Sequence, residues 1–406
     1  MRQRSVIRGT VSVALVCAIG GASGCDEADP APQPQELQTI VQQLNTTPTT
    51  QGSRLGFDML TVDKHTAGAL ACDPGAIVTI GVSYDGPEGP FDIVDEWQVQ
   101  VVCEEHPSYD VAVVLDNSGS EFDYIDVITD AASAFAEDLL DLGGRMSLVR
   151  ISTQSEVLEG VTNDADLISS AIDGLYGGNG WTALYDAVRM GNETLVASAE
   201  MAPAAPDPTT EASQSCVTPR RRSIAVYTDG QENNSADQHP CESCSGPSDG
   251  IDTTLEDLAL LNVNGVPVPI YVVGVGENIH VDELSTMAEA NGGAYFPVAG
   301  HDDLLDVLPE IASYGTSAAH VCVDVLHPEC GPAFVQITIQ NDVGGVLVEH
   351  VSVHETEFCP ALPDIVPPPP PPGGGGDPPP PPPPEPPPLP PPLPPPPLPP
   401  LPPPGP

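Results

Sequence analysis

Positive charge is what this chain has least of. Its 406 residues carry 11 Lys and Arg against 58 Asp and Glu, a formal net charge of -47, and Lys64 is the only lysine. A surface this negative repels phosphate backbones, which argues against nucleic acid as a partner. It favours solubility and suits a salty or divalent-rich medium, where screening offsets self-repulsion; a plainly solvated acidic surface accounts for it equally well. The single lysine leaves no usual Ser-Lys arrangement, and HExxH and Walker-type motifs are missing. The nine histidines are scattered, none beside an obvious nucleophile. Long apolar runs are missing too: Thr10 to Ile19 is too short to span a bilayer. The expectation from these absences is a protein that is not an enzyme.

What is there begins with a secretion signal over residues 1–24. Arg2, Arg4 and Arg8 form its positive end, followed by the short apolar run and small residues. The tetrad Ala22-Ser-Gly-Cys25 resembles the bacterial lipobox, which implies cleavage before Cys25, a lipid on its sulfur, and an extracytoplasmic protein held at a bacterial membrane without a spanning helix. The alternative is ordinary signal cleavage and a free secreted protein. Residues 25–56 are polar, rich in Pro, Gln and Thr, and without sustained periodicity, so they read as a flexible tether with at most one helical turn at Ile40, Val41 and Leu44. Most of the 51 prolines lie from Pro363 onward, making residues 361–406 a disordered polyproline tail that cannot build a core.

Between these ends, Val111 to Leu115 is a run of five apolar residues after Asp110, the signature of a strand buried on both faces. It ends in Asp116-Asn-Ser118-Gly-Ser120, a carboxylate and two hydroxyls on alternate residues. In an open α/β sheet, ligands sit in the loops at the carboxyl ends of strands. Alone, the pattern also fits a solvated turn or a helix cap. Its weight comes from two later segments. Gly177-Gly-Asn-Gly-Trp-Thr182 is a glycine-rich loop running into a helix, and Ser223 to Thr228 is a second buried strand, ending at Asp229-Gly230.

With DNSGS, GWTALYDA and YTDGQENNS in place, the chain resembles the von Willebrand factor A family over roughly residues 108–315. The resemblance implies a doubly wound, mostly parallel α/β sheet flanked by helices. It also implies a metal-ion-dependent adhesion site holding Mg2+, Mn2+ or Ca2+. Ser118, Ser120 and Thr182 would supply hydroxyls, with Asp116 and Asp229 acting largely through bound water. Neutral direct ligands leave the ion's charge poorly neutralised, so it takes a carboxylate from a protein partner.

The expected domain spans residues 106–316. Within it, Ile125 to Leu142 reads as an amphipathic helix, Met146 to Ile151 and Glu156 to Val161 as strands, and Thr254 to Asn262 as a helix. Pro203 to Arg222 reads as an exposed loop, with Arg220 to Arg222 as its charged rim. The polar loop after Asp229, with Glu232, Asn233, Asn234 and Asp237, is placed to set partner specificity. Residues 57–105 and 317–360 alternate like strands. We read them as one small β-sandwich interrupted by the α/β domain, as integrin β chains interrupt theirs; two separate β pieces are the alternative.

Cys17 lies in the signal and Cys25 at the lipid site. The remaining Cys72, Cys103, Cys216, Cys241, Cys244, Cys322, Cys330 and Cys359 form an even set, which in an exported protein reads as up to four disulfides. Cys72 with Cys103 is the natural pair for the first β segment. His239-Pro-Cys241-Glu-Ser-Cys244 reads as a structural bridge; zinc would need a fourth ligand that is not apparent, and a redox pair would need a thioredoxin-like setting. The reading is an adhesion or scaffolding lipoprotein. Its rivals are a structural envelope protein whose domain does not use its metal, and a metal-dependent hydrolase lacking an evident base.

Overall fold

The structure, a computed structural model, describes residues 36–358 apart from 50–51, 71, 73–75, 95–98, 104–107, 176–179, 202–219, 231, 236–252, 277–278, 327–329 and 344–345. The chain divides into two compact units, Met1–Leu362 and Pro363–Pro406. The second, with the polyproline tail, lies outside the described residues, as do the signal segment and Cys25.

The first unit opens with β1 (Leu37–Thr49), β2 (Gly52–Asp63), β3 (Ile77–Ser83), the two-residue β4 (Asp92–Ile93) and β5 (Val99–Val102). An α/β region follows: β6 (Tyr109–Asp116), α1 (Ile125–Asp141), β7 (Arg145–Ile151), β8 (Glu156–Thr162), α2 (Ala165–Asp173), α3 (Leu184–Glu200), β9 (Arg221–Thr228) and α4 (Leu255–Leu258). It continues through β10 (Asn262–Val263), β11 (Val266–Pro267), β12 (Ile270–Val275), α5 (Val281–Ala290), β13 (Tyr295–Val298), α6 (Leu304–Ala312) and α7 (Tyr314–Ser317). Three strands close the described residues: β14 (Ala319–Leu326), β15 (Gly331–Val343) and β16 (Val346–Phe358).

The architecture is mixed α/β. One six-stranded sheet has the order β13-β12-β9-β6-β7-β8, with β8 antiparallel to β7 and the other neighbours parallel. Every residue of β6 is buried. The reason is visible in its two faces. Val111, Val113 and Leu115 pack with Phe135 and Leu139 of α1, Ile168 of α2 and Leu308 of α6. Ala112 and Val114 pack with Leu184 and Val188 of α3 and Met287 of α5. A strand covered twice has no polar side, and each fully buried Val or Leu contributes about 1.5–3 kcal/mol.

The other two large sheets are antiparallel, β1-β2-β14-β5 and β16-β15-β3-β4. Leu55 and Phe57 of β2, Ile80 of β3, Val321 of β14 and Ile337 of β15 lie in one apolar cluster between them. The two sheets take strands from both sides of the α/β region. Cys72 is bonded to Cys103, and Cys322 and Cys330 are also disulfide-bonded. Cys216, Cys241, Cys244 and Cys359 lie outside the described residues.

Three expectations need correction. Arg221 and Arg222 are not the rim of a loop: they begin β9, and Arg221 is buried. Residues 37–56 are not a tether: they form β1 and the start of β2, paired from Leu37↔Asp63 to Thr49↔Gly52. Their polar side chains are inside because they have partners there. Gln42 accepts from the Tyr271 hydroxyl, Gln43 donates to Arg222 O at 2.8 Å, and Thr39 meets Thr61 at 2.9 Å. The helix expected over 254–262 stops at Leu258. Asn264 and Gly265, both at positive φ, instead turn a short hairpin between β10 and β11. Asn-Gly is the preferred pair for a two-residue hairpin turn, because both central residues need positive φ.

Candidate metal centre

Strand β6 delivers Asp116 to its own carboxyl end, and the backbone then turns through a 3-10 segment, Gly119–Tyr124. Asp116 is fully buried. One of its oxygens accepts from Ser118 N at 2.9 Å and the other from the Thr228 hydroxyl at 2.6 Å. The neighbouring parallel strand β9 delivers Asp229 beside it. From there the polar atoms form a row: Ser118 Oγ to Ser120 Oγ is 3.2 Å, and Ser120 Oγ donates to Asp229 Oδ1 at 3.0 Å.

Thr182 arrives on the third loop. Gly119 N donates to Gly180 O at 3.2 Å, which ties the first loop to this one. Gly180 sits at φ 109, and a Cβ there would lie 1.9 Å from Thr153 Oγ1, so only glycine fits. Thr182 is buried and its backbone clasps Asn233: Thr182 N donates to Asn233 Oδ1 at 2.8 Å, and Asn233 N to Thr182 O at 3.1 Å. A point one Cβ above Gly230 is 3.4 Å from Asp116 Oδ2 and 3.5 Å from Thr182 Cγ2. The five residues singled out in the sequence therefore meet at one end of the sheet. Gly177, Gly178 and Asn179 lie outside the described residues.

The electrostatics of this cluster are those of crowded carboxylates. Burial, opposed by the Thr228 hydrogen bond and aided by the Asp229 charge, pushes Asp116 up to about 6. Glu121, also fully buried, is pushed up to about 9 by burial and then by Asp229 and Asp116. It accepts from the Tyr227 hydroxyl at 2.8 Å and faces His301 Nε2 at 3.1 Å. Hydroxyl and carboxylate oxygens without sulfur or imidazole in the row are donors for a hard cation, which takes oxygen ligands. Excess negative charge in a desolvated pocket is stabilised by such an ion. The residues present fit a divalent cation on both counts. Among the described residues no group of three or more His, Cys, Asp and Glu has metal-site spacing, because hydroxyls make up most of this set.

Sequence reasoning missed Glu121, Thr228 and Tyr227. Glu121 follows Ser120 directly, but only the fold shows that it turns inward beneath the site. The loop residues given a specificity role are corrected. Glu232 accepts from Tyr185 N at 3.0 Å and from Asn234 N at 2.7 Å, while Asn234 donates to Thr153 O at 2.7 Å and is buried. These side chains brace the start of α3 and hold the third loop; Asp237 lies outside the described residues. The large apolar side chains exposed on this rim are Phe122, Tyr124 and Trp181. Tyr124 stacks on His301 with ring centroids 3.5 Å apart.

No protein-family model matches the sequence, and no curated protein matches it. Several solved structures do. A von Willebrand factor type A structure from Catenulispora acidiphila is 12% identical, with a TM-score of 0.37, over 82% of this chain and 75% of the other. Proximal thread matrix protein 1 from the mussel byssus is 17% identical, with a TM-score of 0.37, over 53% of this chain; the match spans 50% of the mussel protein's length. The vWF domain of a type V pili tip protein from Porphyromonas gingivalis is 12% identical, with a TM-score of 0.35, over 52% of this chain and 95% of the other. The structures to which this chain is similar thus include von Willebrand factor A domains, the family its three loop motifs resemble.

Proposed function

We propose that this chain is an adhesion or scaffolding protein that binds a protein partner through a divalent cation. The α/β region is read as a doubly wound domain carrying that site at the carboxyl ends of β6 and β9. The observation that supports it best is the continuous row Ser118–Ser120–Asp229, with contacts of 3.2 and 3.0 Å. Asp116, Ser118, Ser120, Thr182 and Asp229 would hold Mg2+, Mn2+ or Ca2+, directly or through water. When bound, the ion would supply an electrophilic centre that a partner's carboxylate completes. The chain's own part is to hold three neutral hydroxyls in place, which keeps the ion's charge available. Thr228 and the Ser118 amide orient Asp116, and Asn233 fixes the Thr182 loop.

The setting goes with this reading. The lipobox-like tetrad ending at Cys25 goes, on this proposal, with a protein outside the cytoplasm and tethered to a membrane by lipid. Among the described residues no helix is long and apolar enough to cross a membrane. Binding rather than hydrolysis is the function put forward, because three of the five residues are neutral hydroxyls that leave an ion's charge available to a partner. Calorimetric titration of Mg2+ and Mn2+ into the purified chain and its Asp229→Ala variant tests the site. One saturable site lost in the variant is the expected result. Binding of a partner that ignores both chelator and variant would instead favour a purely structural envelope role.

A further inference from the structure

At the opposite end of the same sheet, the scarce positive charge of this chain is concentrated. Asp110, fully buried near the start of β6, is met by three arginines. Arg145 holds it with a two-pronged contact, Nε to Oδ1 and Nη2 to Oδ2, both at 2.9 Å. Arg220 Nη1 donates to Oδ1 at 2.8 Å, and the Ser198 hydroxyl lies 3.4 Å from Oδ2. Four donors saturate a carboxylate. Arg222 is therefore left over. Its Nε is 3.9 Å from Asp110, is buried, and has no hydrogen-bond partner among the described residues.

Among the described residues three guanidiniums face one carboxylate, which leaves two positive charges unmatched. Asp58, the buried acid beyond them, is already engaged by Arg221 at 3.0 Å and His320 at 2.7 Å. A structural role needs only Arg145, Asp110 and Ser198, so it does not account for Arg220 and Arg222 converging on the same point. Burial lowers the Arg222 pKa, and Arg220 and Arg145 add to the effect against the pull of Asp110. The cluster is open to solvent, with side-chain exposures of 30% for Arg145, 33% for Arg220 and 18% for Arg222. Planar guanidinium forks are the side chains best matched to tetrahedral oxyanions.

We infer that Arg145, Arg220 and Arg222 form a binding site for a doubly charged oxyanion, a phosphate or sulfate group. The dianion's charge equals the cluster's surplus, and its oxygens supply the acceptor that Arg222 Nε lacks. Asp110 lies six residues before Asp116 on one strand, so the oxyanion and cation sites are about 20 Å apart at opposite strand ends. The two are independent.

The test is titration of inorganic phosphate into the purified chain at constant ionic strength, with chloride as the control salt. One saturable site is expected, together with a rise in Tm that chloride does not give. Arg222→Gln removes no hydrogen bond made by that side chain, so the variant folds, as circular dichroism would verify, and its phosphate affinity falls at least tenfold. Arg220→Gln weakens binding likewise, and Asp229→Ala leaves it unchanged. Phenyl phosphate separates two sources: equal binding means the site accepts an ester group, and binding of inorganic phosphate alone means a free ion. Phosphate and chloride acting identically, or both arginine variants binding at full strength, would overturn the assignment.

Discussion

At the scale of single residues, the candidate metal centre and the core make separable demands. Thr182 contributes a hydroxyl to the site, while its loop is held by backbone bonds to Asn233 that a smaller side chain leaves in place. Thr182→Ala should therefore weaken Mn2+ affinity at least tenfold with an unchanged circular dichroism spectrum, read by calorimetry. Arg221 and Arg222 are neighbours on β9 with opposite fates. Arg221 is buried against Asp58 and donates to Gly315 O, so Arg221→Met leaves that buried carboxylate with His320 as its remaining charged partner and should cost about 3 kcal/mol in denaturant unfolding. Arg222→Gln should cost far less.

His354 gives a pH dependence. It is buried on β16, contacts the Ser352 hydroxyl at 2.9 Å, and is pushed down to about 4 by burial and then by His350. Its ordinary value is 6.5. Between these values the unfolded chain binds more protons than the folded one. Stability from this group is full above 6.5, falls as the pH drops, and levels off below about 4, a loss of roughly 3 kcal/mol. Asp116, raised to about 6, acts with the opposite sign. The difference between wild type and His354→Gln, followed by urea unfolding across pH 4–7, isolates the histidine.

At the scale of elements, Cys72–Cys103 closes a loop of sequence separation 31 in the antiparallel region. By chain entropy a loop of that length contributes about 3–4 kcal/mol. Replacing both cysteines with alanine should lower the unfolding free energy by that order, measured in guanidinium.

The elements also show what was legible in the sequence. β6 was legible because burial on both faces suppresses alternation, and the five loop residues because two short motifs stood at strand ends and a third at the start of a helix. β1 was not, because Gln42, Gln43 and Thr39 look solvated until Tyr271, Arg222 and Thr61 are seen to bond them. The β10–β11 hairpin carried a readable Asn264-Gly265 signal, hidden beneath a helix pattern that its own capping box starts at Thr254. Glu121 had no signal at all: a lone acid after a loop motif reads as solvent-facing until the fold turns it inward.

At the scale of the whole molecule, a net charge of -47 makes the compact state self-repelling. Its repulsion is screened over a length of about 10 Å at 0.1 M salt. Raising NaCl from about 10 mM to about 0.5 M should therefore raise Tm by several degrees, seen in a thermal scan at fixed pH. If the proposed cation binds at Asp229, chelator-treated protein should show the larger rise, because the carboxylates there are then uncompensated.

The way the two sheets straddle the α/β region carries a mechanical consequence. β2 and β14 are hydrogen-bonded from Met59↔Ala319 to Gly52↔Leu326, and β5 pairs β14 beside them. Tension applied through β1 and β16 thus crosses from one flank to the other without passing along residues 109–317. The inserted region lies off the load path, so it bears no stretch until the surrounding strands shear. In a pulling experiment the outer strands should give way first, and the length stored in the inserted region should be released only afterwards, as a separate and later extension.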